Sequence, residues 1–383
     1  MMGRASGSEG DYKAAEYIAA EFRRLGLEPA GENGSYFQTV PFWRVAVDRR
    51  STLEVGGERL VLFRDFMPMN SATPPVTLAN APVIFGGSVG DTSRLITADA
   101  AAGNLVVLEV PAGSNLRTLA AFNARWRGAL GIARVYLEQL GAENVARLRD
   151  GRPVPDTSRF SQAMPVLAVS RRAAAIMLGG DPAAVRPGAF GKNVTGSFDF
   201  QRTALPYPAR NVVAVLRGGD PALRGQYVSL TAHNDHVGFD RSPIDHDSVR
   251  AFNRVIRPLG ADSPPRAPTS EEWTRIRRIL DSLRRVNPPR LDSIRNGADD
   301  DGSGTVALLE IAERLAAGPR PRRSILFVSH TGEEDGLVGS RWFTDHATVP
   351  TDSIVAEIDE DMIGRGRPRL DAPKPPLDRP CVQ

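Results

Sequence analysis

Asn296-Gly-Ala-Asp-Asp-Asp-Gly-Ser-Gly304 sets three adjacent carboxylates between glycines, directly ahead of an apolar-periodic segment from Thr305 to Ala317. Mutual repulsion makes such a triplet hard to account for as packing, and a bound cation resolves it. Glycines on both sides let the backbone turn sharply enough to aim a carboxylate into a cleft. Alone, the motif fits a calcium-binding turn or a wet surface loop equally well, so its meaning depends on the rest of the chain.

Other segments supply compatible groups. Tyr227-Val-Ser-Leu-Thr-Ala-His233 reads as a buried strand running into Asn234-Asp235-His236-Val-Gly238. In open α/β sheets the carboxyl ends of strands are where ligands bind. His233 is placed to coordinate through one ring nitrogen while Asp235 accepts the other N–H and fixes the tautomer. Ser324-Ile-Leu-Phe-Val-Ser-His330 reads as a second strand, followed by Thr331-Gly-Glu-Glu-Asp-Gly336. Glu333 and Glu334 must point apart, so one can bind a metal while the other stays free as a base beside an activated water. A third strand from Ser353 ends in Asp359, Glu360 and Asp361. Imidazole mixed with carboxylates suits zinc, with manganese or cobalt as alternatives.

The blocks His-x-Asp at 233, Gly-Ala-Asp-Asp at 297, Gly-Glu-Glu-x-Gly-Leu-x-Gly-Ser at 332 and Asp-Met-Ile-Gly at 361 occur in one order. In that order they resemble the co-catalytic zinc exopeptidases, the family that includes aminopeptidase S, aminopeptidase Y and the glutamate carboxypeptidase II group. The resemblance implies a metal-dependent exopeptidase acting on peptide substrates with two zinc ions, more readily an aminopeptidase. It puts His233 and Asp361 on one metal, Glu334 on the other and Asp300 between them. Glu333 becomes the general base and Asp235 the orienter of His233. A carboxypeptidase of the same architecture, a glutaminyl cyclase-type transferase and a non-catalytic interaction protein are the alternatives.

The family's remaining ligand is a later histidine, and none of His233, His236, His246, His330 and His346 occupies that place. His236 and His246 are candidate substitutes. The chain is therefore expected to be clipped beyond the Pro- and Arg-rich tail at 366–383. It is expected to be clipped at its start too, where Gly3-Arg-Ala-Ser-Gly-Ser8 matches a family segment that ordinarily follows a further helix and an export signal. Secretion or a periplasmic address follows from the resemblance alone.

The elements that must position these residues suit an α/β protein. At 383 residues with 41% hydrophobic and 24% charged residues, one large domain with a smaller insert is expected. The fold class implied is a largely parallel central sheet flanked by helices, as in phosphorylase/hydrolase-like zinc exopeptidases, with an inserted β-rich domain resembling a protease-associated (PA) domain. Residues 1–68 and 191–383 form the peptidase domain in this reading, and short apolar runs place the insert at 69–190. A second insertion spans 239–295, where Thr269-Ser-Glu-Glu272 is a capping box heading an amphipathic helix that Pro288-Pro289 ends. That helix either covers the cleft or packs on the surface. Ahead of the first strands, Asp11 is expected to cap a helix carrying Ala14, Ile18 and Phe22 on one face. Net charge is +3 with acidic and basic residues interspersed, which excludes a nucleic-acid footprint. No apolar run is long enough for a transmembrane helix, and Cys381 is the one cysteine, so no internal disulfide forms.

Overall fold

The computed structural model describes residues 2–69, 75–114, 124–155, 164–258, 263–264, 266–286, 288–289 and 291–364. The tail at 366–383, with Cys381, lies outside them. Two compact units divide the chain, residues 1–40 with 209–383 and residues 41–208. The β-rich insert expected at 69–190 falls inside the second unit, whose limits lie further out on both sides. Strand Phe42–Val47 pairs antiparallel with Phe200–Ala204, which ties the flanking segments into that unit. Its largest sheet orders Phe66–Pro68, Val166–Val169, Gly131–Val135, Leu105–Glu109 and Val83–Ser88. Leu105, Val107, Ala133 and Leu167 pack with Phe66 and Phe198 in its core.

The first unit begins with α1 (Glu9–Arg24), then β1 (Glu28–Pro29) and β2 (Phe37–Val40), and resumes with β3 (Ala209–Leu216) and β4 (Tyr227–His233). The insertion supplies β5 (Phe239–Asp245), α2 (His246–Ile256), α3 (Ser270–Val286) and β6 (Leu291–Ile294). Then come α4 (Gly302–Ala317), β7 (Ser324–His330), α5 (Val338–Asp345) and β8 (Ile354–Asp359). The central sheet runs β1-β3-β7-β4-β8, with β2 also on β3.

This sheet is mixed where a largely parallel one is expected. β4 pairs parallel with β7 and β8, but β3 runs antiparallel to β1, β2 and β7. Parallel neighbours need a crossover, which α4 supplies between β4 and β7; residues 217–226, between β3 and β4, contain no helix, so the chain simply reverses. The strands that end in candidate ligands are thus the parallel ones.

β3 and β7 are buried along their whole length. Alternation sends Val212 and Ala214 to one face, where Ile18, Phe22, Leu308, Ala312 and Phe327 meet them, and Val213 and Val215 to the other, against Leu326, Val328 and Phe343. α1 is capped one turn earlier than Asp11. Ser8 Oγ accepts the Asp11 N–H, and the Asp11 carboxylate accepts the Gly7 N–H 2.9 Å away, so Asp11 occupies the reciprocal position of a capping box. The insertion is a helical hairpin on a two-stranded ribbon. Glu272 Oε2 accepts the Thr269 N–H at 2.9 Å and Thr269 Oγ1 the Glu272 N–H at 3.2 Å, while Ile276, Ile279 and Leu280 of α3 pack against Ala251, Val255 and Ile256 of α2. α2 covers part of the apolar face of α3, burying Ile276 while Trp273 and Val286 stay exposed. No helix among the described residues is long and apolar enough to cross a membrane.

Phe327 is fully buried, 5.8 Å from the Phe22 ring, at the seam of α1, α4 and the sheet. Phe327→Ala should cost about 3–5 kcal/mol. Urea unfolding followed by circular dichroism checks this, and an unchanged midpoint would place the core elsewhere.

Candidate metal centre

The parallel register sets the strand ends level. His233 on β4 lies opposite His330 on β7, and Thr231 opposite Asp359 on β8. The residues that follow therefore emerge at one edge, and the acidic loop before α4 comes in beside them. His233 Nε2 stands 3.2 Å from Asp300 Oδ1 and 3.9 Å from both Glu333 Oε2 and Asp361 Oδ1. Donor atoms each about 2.0–2.2 Å from a tetrahedral ion lie roughly 3.3–3.6 Å apart, a spacing these distances bracket. The His233 ring is only 4% exposed, and its Nε2 makes no hydrogen bond. An orphaned nitrogen buried among carboxylates is costly unless a cation completes it, so the residues fit a divalent metal.

A second donor group shares Asp300. His236 Nδ1 is 2.5 Å from Glu334 Oε1 and 3.9 Å from Asp300 Oδ1. Among the described residues, His233, Asp300 and Asp361 can converge on one ion, and His236, Asp300 and Glu334 on another. The remaining histidines go elsewhere. His246 lies 3.5 Å from Asp292 within the insertion, His346 stacks on Trp342, and His330 is buried edge-on to Phe343. A cleft between α1 and α4, lined by Tyr17, Ile18, Val306 and Leu309, holds none of these donor side chains.

The acidic triplet divides its work. Asp301 is buried at the N-cap of α4, where its carboxylate accepts the N–H groups of Gly304, His233 and Met362 at 2.8, 3.1 and 3.3 Å. Burial pushes Asp301 up to about 6 against the pull of those donors. Asp299 Oδ1 accepts the Gly364 N–H at 3.0 Å, fastening the turn after β8. Only Asp300 is left to face the imidazole. Gly304 lets α4 start against the chain after β8, since a Cβ there would meet the Glu360 carbonyl oxygen at 1.8 Å.

Asp235 engages the His233 ring through its carbonyl and its carboxylate. The His233 Nδ1 contacts the Asp235 carbonyl oxygen at 3.2 Å and its carboxylate at 3.5 Å. The carbonyl can only accept, so it fixes Nδ1–H and leaves Nε2 as the nitrogen able to give a lone pair to a metal. The Asp235 carboxylate also accepts the N–H groups of Glu333 (3.1 Å) and Glu334 (3.4 Å), plus the Ser6 hydroxyl. It holds the turn on which base and ligand sit.

Sequence reasoning missed how the N-terminal segment binds the loops together. Arg4 donates to the carbonyl oxygens of Asn234 (2.8 Å), Asn296 (2.6 Å) and Gly297 (3.1 Å), joining the histidine loop to the acidic loop. Asp11 receives the Thr331 hydroxyl at 3.3 Å below the glutamate turn. The Gly3-Arg-Ala-Ser-Gly-Ser8 segment was the available signal, though partners some 230–293 residues away cannot be read from it. Electrostatically the edge calls for positive charge. Burial disfavours the imidazolium, but Asp235, Asp301 and Glu333 outweigh it and hold His233 up at about 9. Burial also raises Glu333, an effect that His233 opposes and Glu334 reinforces.

Residues 211–379 match peptidase family M28. Among curated proteins, a "Probable glutamate carboxypeptidase" of Zea mays is 40% identical over 91 residues, 22% of this chain and 13% of its own length. A "Probable leucine aminopeptidase" of Trichophyton verrucosum is 30% identical over 128 residues, 32% of each chain. The chain thus spans a third or less of these relatives. Among solved structures, an aminopeptidase from Aneurinibacillus sp. strain AM-1 aligns over 94% of this chain and 66% of its own, at 15% identity and a TM-score of 0.45, too distant to carry an argument.

Burial, and then repulsion from Asp235, pushes the Asp11 carboxyl from 3.8 up to about 8. The folded protein keeps that proton where the unfolded chain releases it, so Asp11 lowers stability progressively as pH rises from about 4 to about 8. Asp11→Asn should flatten this part of the profile of thermal midpoint against pH. Equal slopes for wild type and variant would contradict it.

Proposed function

We propose that this chain is a metal-dependent exopeptidase, an aminopeptidase by preference, that hydrolyses the terminal bond of peptides with Glu333 as general base. The observation that carries the reading is the pair of donor groups meeting at Asp300, with the Glu333 carboxylate 3.9 Å from the His233 nitrogen of the first group. The match of residues 211–379 to a peptidase family supports the same chemistry. His233, Asp361, Asp300 and Glu334 would hold the metal, zinc or in its place cobalt or manganese. When bound, divalent ions there supply Lewis acidity, which polarises the scissile carbonyl and acidifies a water.

The chain's own residues then do the proton work. Glu333 takes a proton from the attacking water and delivers it to the departing amine. Because Asp235 pins the N–H groups of Glu333 and Glu334, the base keeps its place beside the ligand while its side chain, about a third exposed, remains open to substrate. Burial raises its basicity toward neutral pH, which suits a group that must accept and then return a proton. His233 stays a lone-pair donor through Nε2 because the Asp235 carbonyl engages Nδ1.

Glu333→Gln keeps the shape of the side chain and removes the base. It should lower kcat on amino-acyl p-nitroanilides by roughly 10²–10⁴-fold while metal content stays at the wild-type level. Assays with amino-blocked and carboxy-blocked peptides, with and without chelator, decide direction. Hydrolysis that survives exhaustive chelation, or a Glu333→Gln variant of wild-type kcat, would end the reading.

A further inference from the structure

The insertion between the histidine loop and the acidic loop supplies none of the donor groups at the metal edge, yet it concentrates positive charge. Residues 239–295 hold twelve arginines, no lysine and eight aspartates and glutamates, so this stretch is more positive than the whole protein at +3. We propose that α3, with α2 beside it, is a recognition surface for acidic peptide substrates, engaging side-chain carboxylates well away from the scissile bond. This rests on the peptidase reading and names the substrate class that reading leaves open.

Both ends of the insertion hang from loops that carry donor groups. Arg295, just ahead of the acidic loop, donates its N–H to the carbonyl oxygen of Gly238, just past His236, at 2.8 Å. From that root β5 and β6 run as a ribbon that pairs Phe239 with Ile294 and Asp245 with Leu291. At about 3.3 Å per residue the ribbon is roughly 23 Å long. At its far end Arg284 reaches Asp245 at 2.6 Å and fastens α3 to it, and Arg266 is paired with Glu272, also at 2.6 Å. Arg275, Arg277, Arg278 and Arg285 on α3, and Arg250 and Arg254 on α2, are exposed and enter no ion pair among the described residues. The exposed acids of α3 are Glu271 and Asp281, so its solvent side keeps an excess of guanidinium groups. Guanidinium takes a carboxylate through two parallel N–H···O bonds, where an ammonium offers only a point charge. The helix has little open apolar surface to lay on a bilayer. Ile276 is buried and Ile279 and Leu280 pack on α2, which leaves Trp273 and Val286 exposed at opposite ends. An acidic polypeptide therefore fits this surface better than an anionic lipid layer.

The test gives the full chain, loaded with Zn2+, two peptides of about ten residues, long enough when extended to span the ribbon. They are identical at the scissile end and carry Glu or Gln at the distal positions. At low salt kcat/KM should be roughly tenfold higher for the Glu peptide. On unmodified protein that ratio should fall towards one in about 1 M NaCl, where the screening length is about 3 Å. The triple variant Arg277→Gln/Arg278→Gln/Arg285→Gln should lose the preference at low salt. Fluorescence anisotropy of a labelled, end-blocked Glu peptide, which reads binding without turnover, should show its affinity weakened by a similar factor. Equal kcat/KM for the two peptides at low salt, or a Glu preference that the variant retains, would overturn the assignment and leave the peptidase reading standing. Sedimentation with phosphatidylglycerol vesicles that the variant abolishes, without any preference between the peptides, would assign the surface to lipid instead. Hydrolysis of neither peptide would remove the peptidase reading and the substrate class with it.

Discussion

Carboxylates gathered at the carboxyl ends of β4, β7 and β8 repel one another, and everything around them in this unit counters that repulsion. Some of the charge is neutralised internally. Asp301 is surrounded by the N–H groups of His233, Gly304 and Met362, and Asp235 by those of Glu333 and Glu334. Asp300, Asp361 and Glu334 face His233 and His236. Outer carboxylates held by backbone amides, with inner ones facing imidazoles, make an arrangement suited to a cation.

That arrangement explains the N-terminal segment as well. Loops from three strand ends and one helix start are independent in sequence, and each would drift if held only at its own root. Arg4 fixes the histidine loop to the acidic loop, Ser6 reaches Asp235, and Asp11 reaches Thr331 under the glutamate turn. Asn211 on β3 completes the frame from the sheet side, accepting the Thr331 N–H while donating to Gln38 and the Gly339 carbonyl oxygen. Two of these supports, Asp11 and Asn211, belong to α1 and β3, elements whose apolar faces pack on Phe22 and Phe327.

Much of this was legible before any coordinates. Tyr227–His233 and Ser324–His330 were readable as strands because runs of that length dominated by apolar and β-branched residues suit a sheet buried on both faces, and Thr269–Glu272 gave α3 its start through reciprocal capping chemistry. What failed depended on geometry that types and spacing do not encode. Ser8 and Asp11 are both good caps, and only the observed bonds tell the cap from its reciprocal partner. The orientation of β3 follows from a connection that contains no helix. The division of labour within Asp299-Asp300-Asp301 was hidden because three identical side chains differ only in which N–H groups the distant turn after β8 brings to them. His236 and His246 could not be told apart by type and spacing, and only the structure brings His236 beside Glu334 and Asp300 while His246 lies against Asp292 in the insertion.

The central claim is that His233, Asp300, Glu334 and Asp361 converge on divalent metal. Anomalous diffraction at the zinc absorption edge, from crystals grown with zinc, tests it most directly. The account requires a peak about 2.0–2.2 Å from His233 Nε2 and from an Asp300 oxygen. Zinc-loaded crystals in which this edge of the sheet shows no anomalous density would contradict it.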